Sequence, residues 1–382
     1  MYARFVKHPF MSRATLEHFS AEALTRAMLR FELALAAAEE THGALPSGTH
    51  NALKTQLEAY TFDLDALEAG IVQGGNVAIP FVKQAKKALP DELKKRFHVA
   101  ATSQDVVDSA LMILTRERLP VILGLTLRIN QALAALMRAH GETLMIGRTL
   151  MQQAMPMTFG VKAAQWAVGI EQGRQRLNDV AEHGLYVQFG GPVGVQAGLD
   201  DGLTIMKTLA TTLGLSSPVL PWHTDRQPIH ALITALDALA CGAEKIATDI
   251  SLLTQSEIGE VREPAGEGMG ESSSMPHKHN PVRCALIRTA ARQIHGHTAT
   301  IINAAAQPLE RALGEWHAEW APLIESQALL EGALEQLVVV LEGLEVIPEA
   351  MQRNLNAAGT GGEAELGSSR AQVARVLAML GE

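Results

Sequence analysis

The sequence predicts an all-α protein built around a long central helix bundle, and three observations carry that expectation. First, 47% of the 382 residues are hydrophobic but only 4% are aromatic. Alanine and leucine supply most of the apolar content, which favours packed helices over sheets. Second, Ile229, Leu232, Leu236, Leu239, Ala243, Ile246, Ile250 and Leu253 fall at alternating steps of three and four. That is an a/d heptad pattern. A helix of about 30 residues is roughly 45 Å long, and such a rod needs partners along its whole length. Third, there is no internal repeat, no low-complexity tract and no strand alternation longer than a few residues. Several such helices in sequence imply a bundle, and an apolar seam on both sides implies a homo-oligomer.

The elements follow in order. Over residues 20 to 40, Leu24, Met28, Phe31, Leu35 and Ala38 share a helical face, with Ser20 as N-cap and Gly43 and Pro46 as terminators. Shorter helices are expected at about 48–58, 64–71 and 80–88, with Gly74-Gly75-Asn76 as a turn. Pro90 closes a first helical domain, 1–95. Ala100 to Asp105 is a polar turn before a long helix to about His140, with Pro120 as a candidate kink. Gly147-Arg148-Thr149 interrupts, and a second long helix runs from about Pro156 to His183. Gly190 to Gly194 is a loop, Gly202 to Leu213 a shorter helix, and Pro218 to Pro228 a connector holding Trp222, His223 and Arg226. After the heptad helix, Pro281 to about Ala306 and Trp320 to about Leu344 complete a central domain, 96–346. Ala357 to Gly367 is rich in glycine and alanine, and only Ser368 to Leu380 reads as a helix in an abbreviated C-terminal domain, 347–382.

A net charge of −9 argues against a general nucleic-acid surface but allows a compact cationic pocket. The two cysteines, Cys241 and Cys284, form no framework and fit a reducing cytoplasm. Met1 to Phe10 lacks the apolar core of a signal peptide, and no later run reads as long enough to span a membrane.

One stretch stands apart: Gly266 to Pro281, with glycine at alternate positions, three serines, then Met275-Pro276-His277-Lys278-His279-Asn280-Pro281. Glycine, proline and clustered serine all disfavour regular structure. A plain linker has no use for the two X-Pro turns and the lysine between them. A phosphate loop would need a preceding strand and a Gly-Lys-Ser/Thr end. A serine hydrolase would show Gly-x-Ser-x-Gly. The functional reading is a flexible lid carrying a serine acid/base, with backbone amides and Lys278 holding a developing anion.

Ser-Ser-x-Met-Pro-x-Lys-x-Asn-Pro strongly resembles the fumarase/aspartase superfamily. Ala101 to Asp108 and Gly147 to Pro156 resemble its first and second conserved regions. Leu150 stands where the superfamily usually has histidine, which resembles the branch of bacterial 3-carboxy-cis,cis-muconate cycloisomerases. Gln188 to Gly191, Pro221 to Thr224 and Gly75 to Pro80 are similar to that branch too, and the likeness runs from about Phe19 to about Leu355. It implies a homotetramer with a twenty-helix core and sites each built from three subunits. It implies Ser272 as the catalytic serine, with Lys278 and Asn280 as the pair that meets substrate. Glu271 stands where the family has glycine, Pro192 and Val195 alter a family loop, and the C-terminal domain is shorter than the family's.

The implied reaction closes a lactone ring: one carboxylate of a small-molecule tricarboxylate adds to an alkene, and the aci-carboxylate carbanion that forms takes a proton. No cofactor is implied. Lys278, Arg148, Arg226 and His223 are the candidate cations; Thr102, Ser103, Gln104 and Gln152 are the neutral substrate donors. Arg148 could instead satisfy helix-end carbonyls, Thr102 or Ser103 could be an N-cap, and His223 and Arg226 could be connector residues. His295 and His297, two apart on a helix, face different ways and make no metal pair. Glu257, Glu260 and Glu263 read as a solvated face, and Trp316 and Trp320 as packing. The competing functions are another lyase of the superfamily, releasing fumarate from a succinyl adduct, and a catalytically silent helical scaffold. Ser272→Ala is expected to remove nearly all turnover, a loss on the order of 10²-fold or more, while leaving assembly intact; wild-type-like rates would sink the assignment.

Overall fold

The computed structural model describes residues 8–264, 270, 275, 278–359 and 365–382. Its architecture is helical, as the sequence predicts. The first helices are α1 (Arg13–His18), α2 (Ala21–Thr41), α3 (Thr49–Leu57), α4 (Leu64–Gly74), α5 (Ala78–Ala88) and α6 (Asp91–Lys94). Ser20 caps α2 by accepting the Ala23 N–H at 3.3 Å. The short α1 is absent from the sequence reading, and tertiary bonds hold it. Ser12 and Thr15 hydroxyls donate to the buried carboxylate of Glu331, which also takes Arg118 from the next long helix.

The bundle follows: α7 (Ser103–His140), α8 (Phe159–Asp179), α9 (Gly202–Leu213), α10 (Gln227–Leu253), α11 (Val282–Ala304) and α12 (Glu315–Glu342). Helices α7, α8, α10, α11 and α12 pack side by side, and α2 lies on α7. All eight heptad residues of α10 are buried. Gly173 of α8 lets that helix close on Leu239 of α10, where an added Cβ would stand 2.9 Å from Leu239 Cδ2. Pro120 does not break α7, because the residues around it stay in one continuous helix. By length and composition α7 could span a membrane, contrary to the sequence expectation. Most of its apolar residues, among them Val106, Leu111, Leu119, Ile129, Leu133 and Met137, are buried against the neighbouring helices, while Val121 and Leu127 are exposed.

The largest departure is a β-hairpin where the sequence suggested loop and early helix. Strands β1 (Leu144–Thr149) and β2 (Gln152–Thr158) pair antiparallel, with a bulge between Ile146 and Arg148. Pro156 sits opposite Ile146 within the pairing, so α8 starts only at Phe159. A second two-stranded ladder joins β3 (Val261–Arg262) to β4 (Glu345–Val346). Beyond it lie α13 (Pro348–Ala357), which the sequence reading left out, and α14 (Ser369–Leu380). Helix α13 packs on β1, and α14 on α8.

Helix α2 buries two carboxylates. Glu32 pairs with the His98 ring at 2.6 Å. Burial opposes charge on His98, yet Glu32 outweighs it and holds the imidazole above its ordinary value. Burial, with a contribution from Glu32, pushes Glu39 from 4.5 up to about 8. Between those two values the folded chain holds a proton that the unfolded chain has released. Folding is therefore opposed more strongly as pH rises through that window. Glu39→Gln removes the effect. Its stability gain over wild type, read as the difference in urea midpoint, is expected to be small near pH 4.5 and to grow toward pH 8; a difference constant with pH would contradict this.

Candidate active site

The amino end of α7 organises one cluster. Thr102 is the N-cap, and its own N–H donates to Asp105 Oδ2 at 2.9 Å. Asp105 is fully buried, and it also accepts the Gly190 N–H at 3.0 Å and the Gly191 N–H at 2.9 Å. The His223 ring lies 2.7 Å from the same carboxylate. Three stretches far apart in sequence thus meet at one aspartate. Gly191 has φ +69°, and a Cβ there would stand 2.7 Å from the Ala100 carbonyl oxygen. A Cβ on Gly190 would stand 2.8 Å from the His223 ring. Both glycines are therefore required for the closure around His223.

One turn further on, Asp108 anchors a second layer. It accepts Arg226 Nη1 at 2.7 Å and the Trp316 indole N–H at 2.8 Å. Arg226 also forks onto Glu319, with Nη2 at 2.7 Å, and lies 4.6 Å from the Trp222 ring centroid. Burial opposes its charge, but Asp108 and Glu319 hold it well above the ordinary arginine value. Its side chain is only 1% exposed. Gln104 is equally buried, its amide donating to the His223 carbonyl at 2.8 Å. The structure places Arg226 and Gln104, both expected to meet substrate, deep in the framework: the guanidinium lies on Asp108 and Glu319, and the Gln104 amide N–H on the His223 carbonyl. His223, also buried, orients the framework through Asp105.

Thr102 and Ser103 remain at the half-buried surface of this end. The sequence reading missed a neighbour, Arg311, whose Nη1 donates to Thr102 Oγ1 at 2.8 Å. Among the described residues no carboxylate makes an ion pair with it. Burial lowers Arg311 from the ordinary arginine value, and the Asp105 and Asp108 carboxylates oppose that only from a distance. A cation short of counter-charge beside a helix amino end is suited to an anion. The signal in the sequence was weak: Glu310-Arg311 sits in an irregular stretch between two long helices.

The other expected residues lie elsewhere. Arg148, on β1, forks onto Glu260, with Nη2 to Oε1 at 2.7 Å and Nη1 to Oε2 at 3.0 Å. It satisfies a carbonyl too, but that of Ile146 in its own strand, at 3.3 Å, and no helix end. Glu260 is fully buried, and Glu263 accepts the Arg283 and Cys284 N–H groups that open α11. The solvated face expected for these two glutamates is corrected accordingly; Glu257 is exposed. Gln152 is exposed at the head of β2, opposite Thr149. Between them Leu150 and Met151 form the hairpin tip with φ +49° and +64°, exposed at 96% and 71%. Positive φ is costly for side chains such as these.

Ser272 and Glu271 lie outside the described residues. Lys278 is exposed in a groove with Thr254, Gln255 and Arg262. Its N–H closes a turn onto the Met275 carbonyl at 3.0 Å. Asn280 uses both its backbone N–H, at 3.0 Å, and its side-chain amide, at 3.1 Å, on the Gly270 carbonyl. Gly270, at φ +72°, has room for no Cβ, since one would stand 2.6 Å from the Asn280 carbonyl oxygen. Asn280 thus shapes the loop base.

Among the described residues no hydrogen bond or ion pair joins the Thr102 cluster to Arg148 or to Lys278. Their separation has a simple cause. Thr102 precedes α7 and the hairpin follows it; the helix is about 57 Å long, and a six-residue strand returns at most about 20 Å. On α11, His295 and His297 do face different ways. His295 lies between Asp237, at 2.6 Å, and Glu244, at 3.1 Å, on α10, whereas His297 meets Glu325 on α12 at 3.2 Å. Asp237, Cys241 and His295 come close enough to share an ion, but both ring nitrogens of His295 already face carboxylates.

Residues 7–296 match the model of a family described as lyase. The 3-carboxy-cis,cis-muconate cycloisomerase of Bradyrhizobium diazoefficiens is 42% identical over 86% of this chain and 74% of its own. The enzyme of that name from Pseudomonas aeruginosa is 39% identical over 91% of this chain and 76% of its own. Among solved structures, 3-carboxy-cis,cis-muconate lactonizing enzyme from Pseudomonas putida superposes with a TM-score of 0.91 at 32% identity, covering 99% of both chains.

Removing Arg226 would strand two buried carboxylates. Arg226→Met is expected to cost about 3–5 kcal/mol, read from the urea midpoint; a loss below about 1 kcal/mol, the range of exposed pairs, would show that the pair is not structural.

Proposed function

Because this chain belongs to the lyase family, as a member of the fumarase/aspartase superfamily in its muconate cycloisomerase branch, we propose that it converts 3-carboxy-cis,cis-muconate to 4-carboxymuconolactone, a step of protocatechuate breakdown. The observation that carries this reading is the breadth of the likeness: 42% identity across 86% of the chain to a relative of that activity. Leu150, at the tip where other superfamily enzymes use histidine, favours this branch over the fumarate-releasing ones.

The chemistry is assigned residue by residue. Ser272 delivers the proton to the carbon beside a substrate carboxylate, and abstracts it in the reverse direction. Lys278 supplies positive charge to the aci-carboxylate as it forms. Thr102, Ser103 and the open amides of α7 receive another carboxylate, and Arg311, missed in the sequence, is the cation for it. Burial depresses Arg311, and an anion bound there favours its charged form. Arg148 is already neutralised by Glu260, so its part is to hold the hairpin that presents Gln152.

The active sites are shared between copies in a homotetramer. Two features support this: the span of α7 between two motif stretches, and the apolar, strained Leu150-Met151 tip, which gains by being covered. Cys241 and Cys284, both free thiols, suit work in the cytoplasm.

The test is ultraviolet loss of the muconate diene by the purified tetramer. Wild type should consume it, and Arg311→Ala should raise KM about tenfold, equivalent to about 1.4 kcal/mol of binding. Fumarate release from a succinyl adduct without diene loss, or no turnover by a folded tetramer, would overturn the proposal.

A further inference from the structure

The Glu260 carboxylate takes three hydrogen bonds, and their donors come from two separate elements. Its Oε1 accepts Arg148 Nη2 at 2.7 Å and the Asn354 side-chain amide at 2.8 Å; its Oε2 accepts Arg148 Nη1 at 3.0 Å. Arg148 belongs to β1 and Asn354 to α13. The Glu260 carbonyl accepts the Ile347 N–H at 3.0 Å, just before α13, and its own N–H donates to the Leu253 carbonyl at 2.9 Å, at the end of α10. Asn354 gives its second amide hydrogen to the Ile258 carbonyl at 2.8 Å. One asparagine on the C-terminal segment thus grips both the carboxylate that holds Arg148 and the chain leading into β3.

On the functional reading above, we propose that Asn354 is a positioning residue for the reaction: acting through Glu260, it fixes Arg148 and with it the hairpin from Gly147 to Pro156. The residue touches no substrate. It acts because a buried carboxylate with one donor missing turns toward its remaining partners, and the arginine forked onto it turns too. Small displacements of a positioned group are costly in rate, up to about 10²-fold for roughly 1 Å. The link also gives the C-terminal segment a part in catalysis. Helix α13 packs on β1, and Asn354 is its polar contact with Glu260.

Asn354→Asp separates positioning from mere stability. It replaces a donor with a carboxylate facing Glu260 and the Ile258 carbonyl. The other charges at this point are Arg148 from β1 and Lys162 from α8, the latter with Asp249 and Lys245 of α10 beside it. Two carboxylates in contact share a proton at low pH, and that proton restores the missing donor. The kcat of Asn354→Asp relative to wild type is therefore expected to be down about 10²-fold at about pH 8 and to climb as pH falls. Asn354→Ala, which cannot be protonated, should lose about tenfold in kcat at every pH, with KM within about twofold. Circular dichroism and sedimentation at each pH establish that the folded tetramer is being assayed. If Asn354→Asp unfolds, the split between kcat and KM in Asn354→Ala decides. A flat kcat ratio in folded Asn354→Asp, or wild-type kcat in Asn354→Ala, overturns the proposal. Diene loss by wild type is measured first; its absence sinks the functional reading, and this proposal with it, whereas its presence alongside either overturning result sinks this proposal alone.

Discussion

A single buried guanidinium holds one end of this helix bundle together. Arg226 sits between Asp108 of α7 and Glu319 of α12, with the Trp222 ring on one face. Three charges withdrawn from water are tolerable only when each is paired and bonded, and here the pairing ties the start of α10 to two other rods of the bundle. Asp105, one turn nearer the surface, then collects the Gly190-Gly191 loop and His223. The result is a division of labour by depth. Charges that build the framework are sealed below, while Arg311, with a hydroxyl as its hydrogen-bond partner, stays within reach of a ligand.

That division explains what could and could not be read from the sequence. The long helices were legible because burial imposes a 3.6-residue period, and the heptad of α10 maps onto buried positions residue by residue. The hairpin was not. Its strands are short, half exposed and interrupted by a bulge, so no clean period-two alternation survives from Leu144 to Thr158. The helix α13 was hidden for a different reason: its apolar anchors are only Ala350, Met351 and Leu355.

For the candidate site, motif matching picked out stretches but could not rank depth within them. Gln104 and Arg226 have the chemistry of substrate ligands and the burial of core residues. Glu260 and Glu263 read as solvated charges because nothing local announces a distant arginine or a helix end 20 residues away as their partner. Arg311 was overlooked because its value depends on Thr102, more than 200 positions earlier, and on the absence of an ion-pair partner among the described residues.

The length of α7 has one more consequence. Thr102 lies at one end of the rod and the hairpin follows the other, so on the proposed assembly a site that uses both draws them from different copies. A copy damaged at Thr102 and another damaged at Arg148 are then not equally lost causes when made in the same cell. Under the proposed shared-site assembly, a mixed tetramer holds some sites whose contributions are all intact. Inheritance of such defects would not follow the one-chain, one-activity rule: two inactive alleles together could yield a partly working enzyme that neither produces alone.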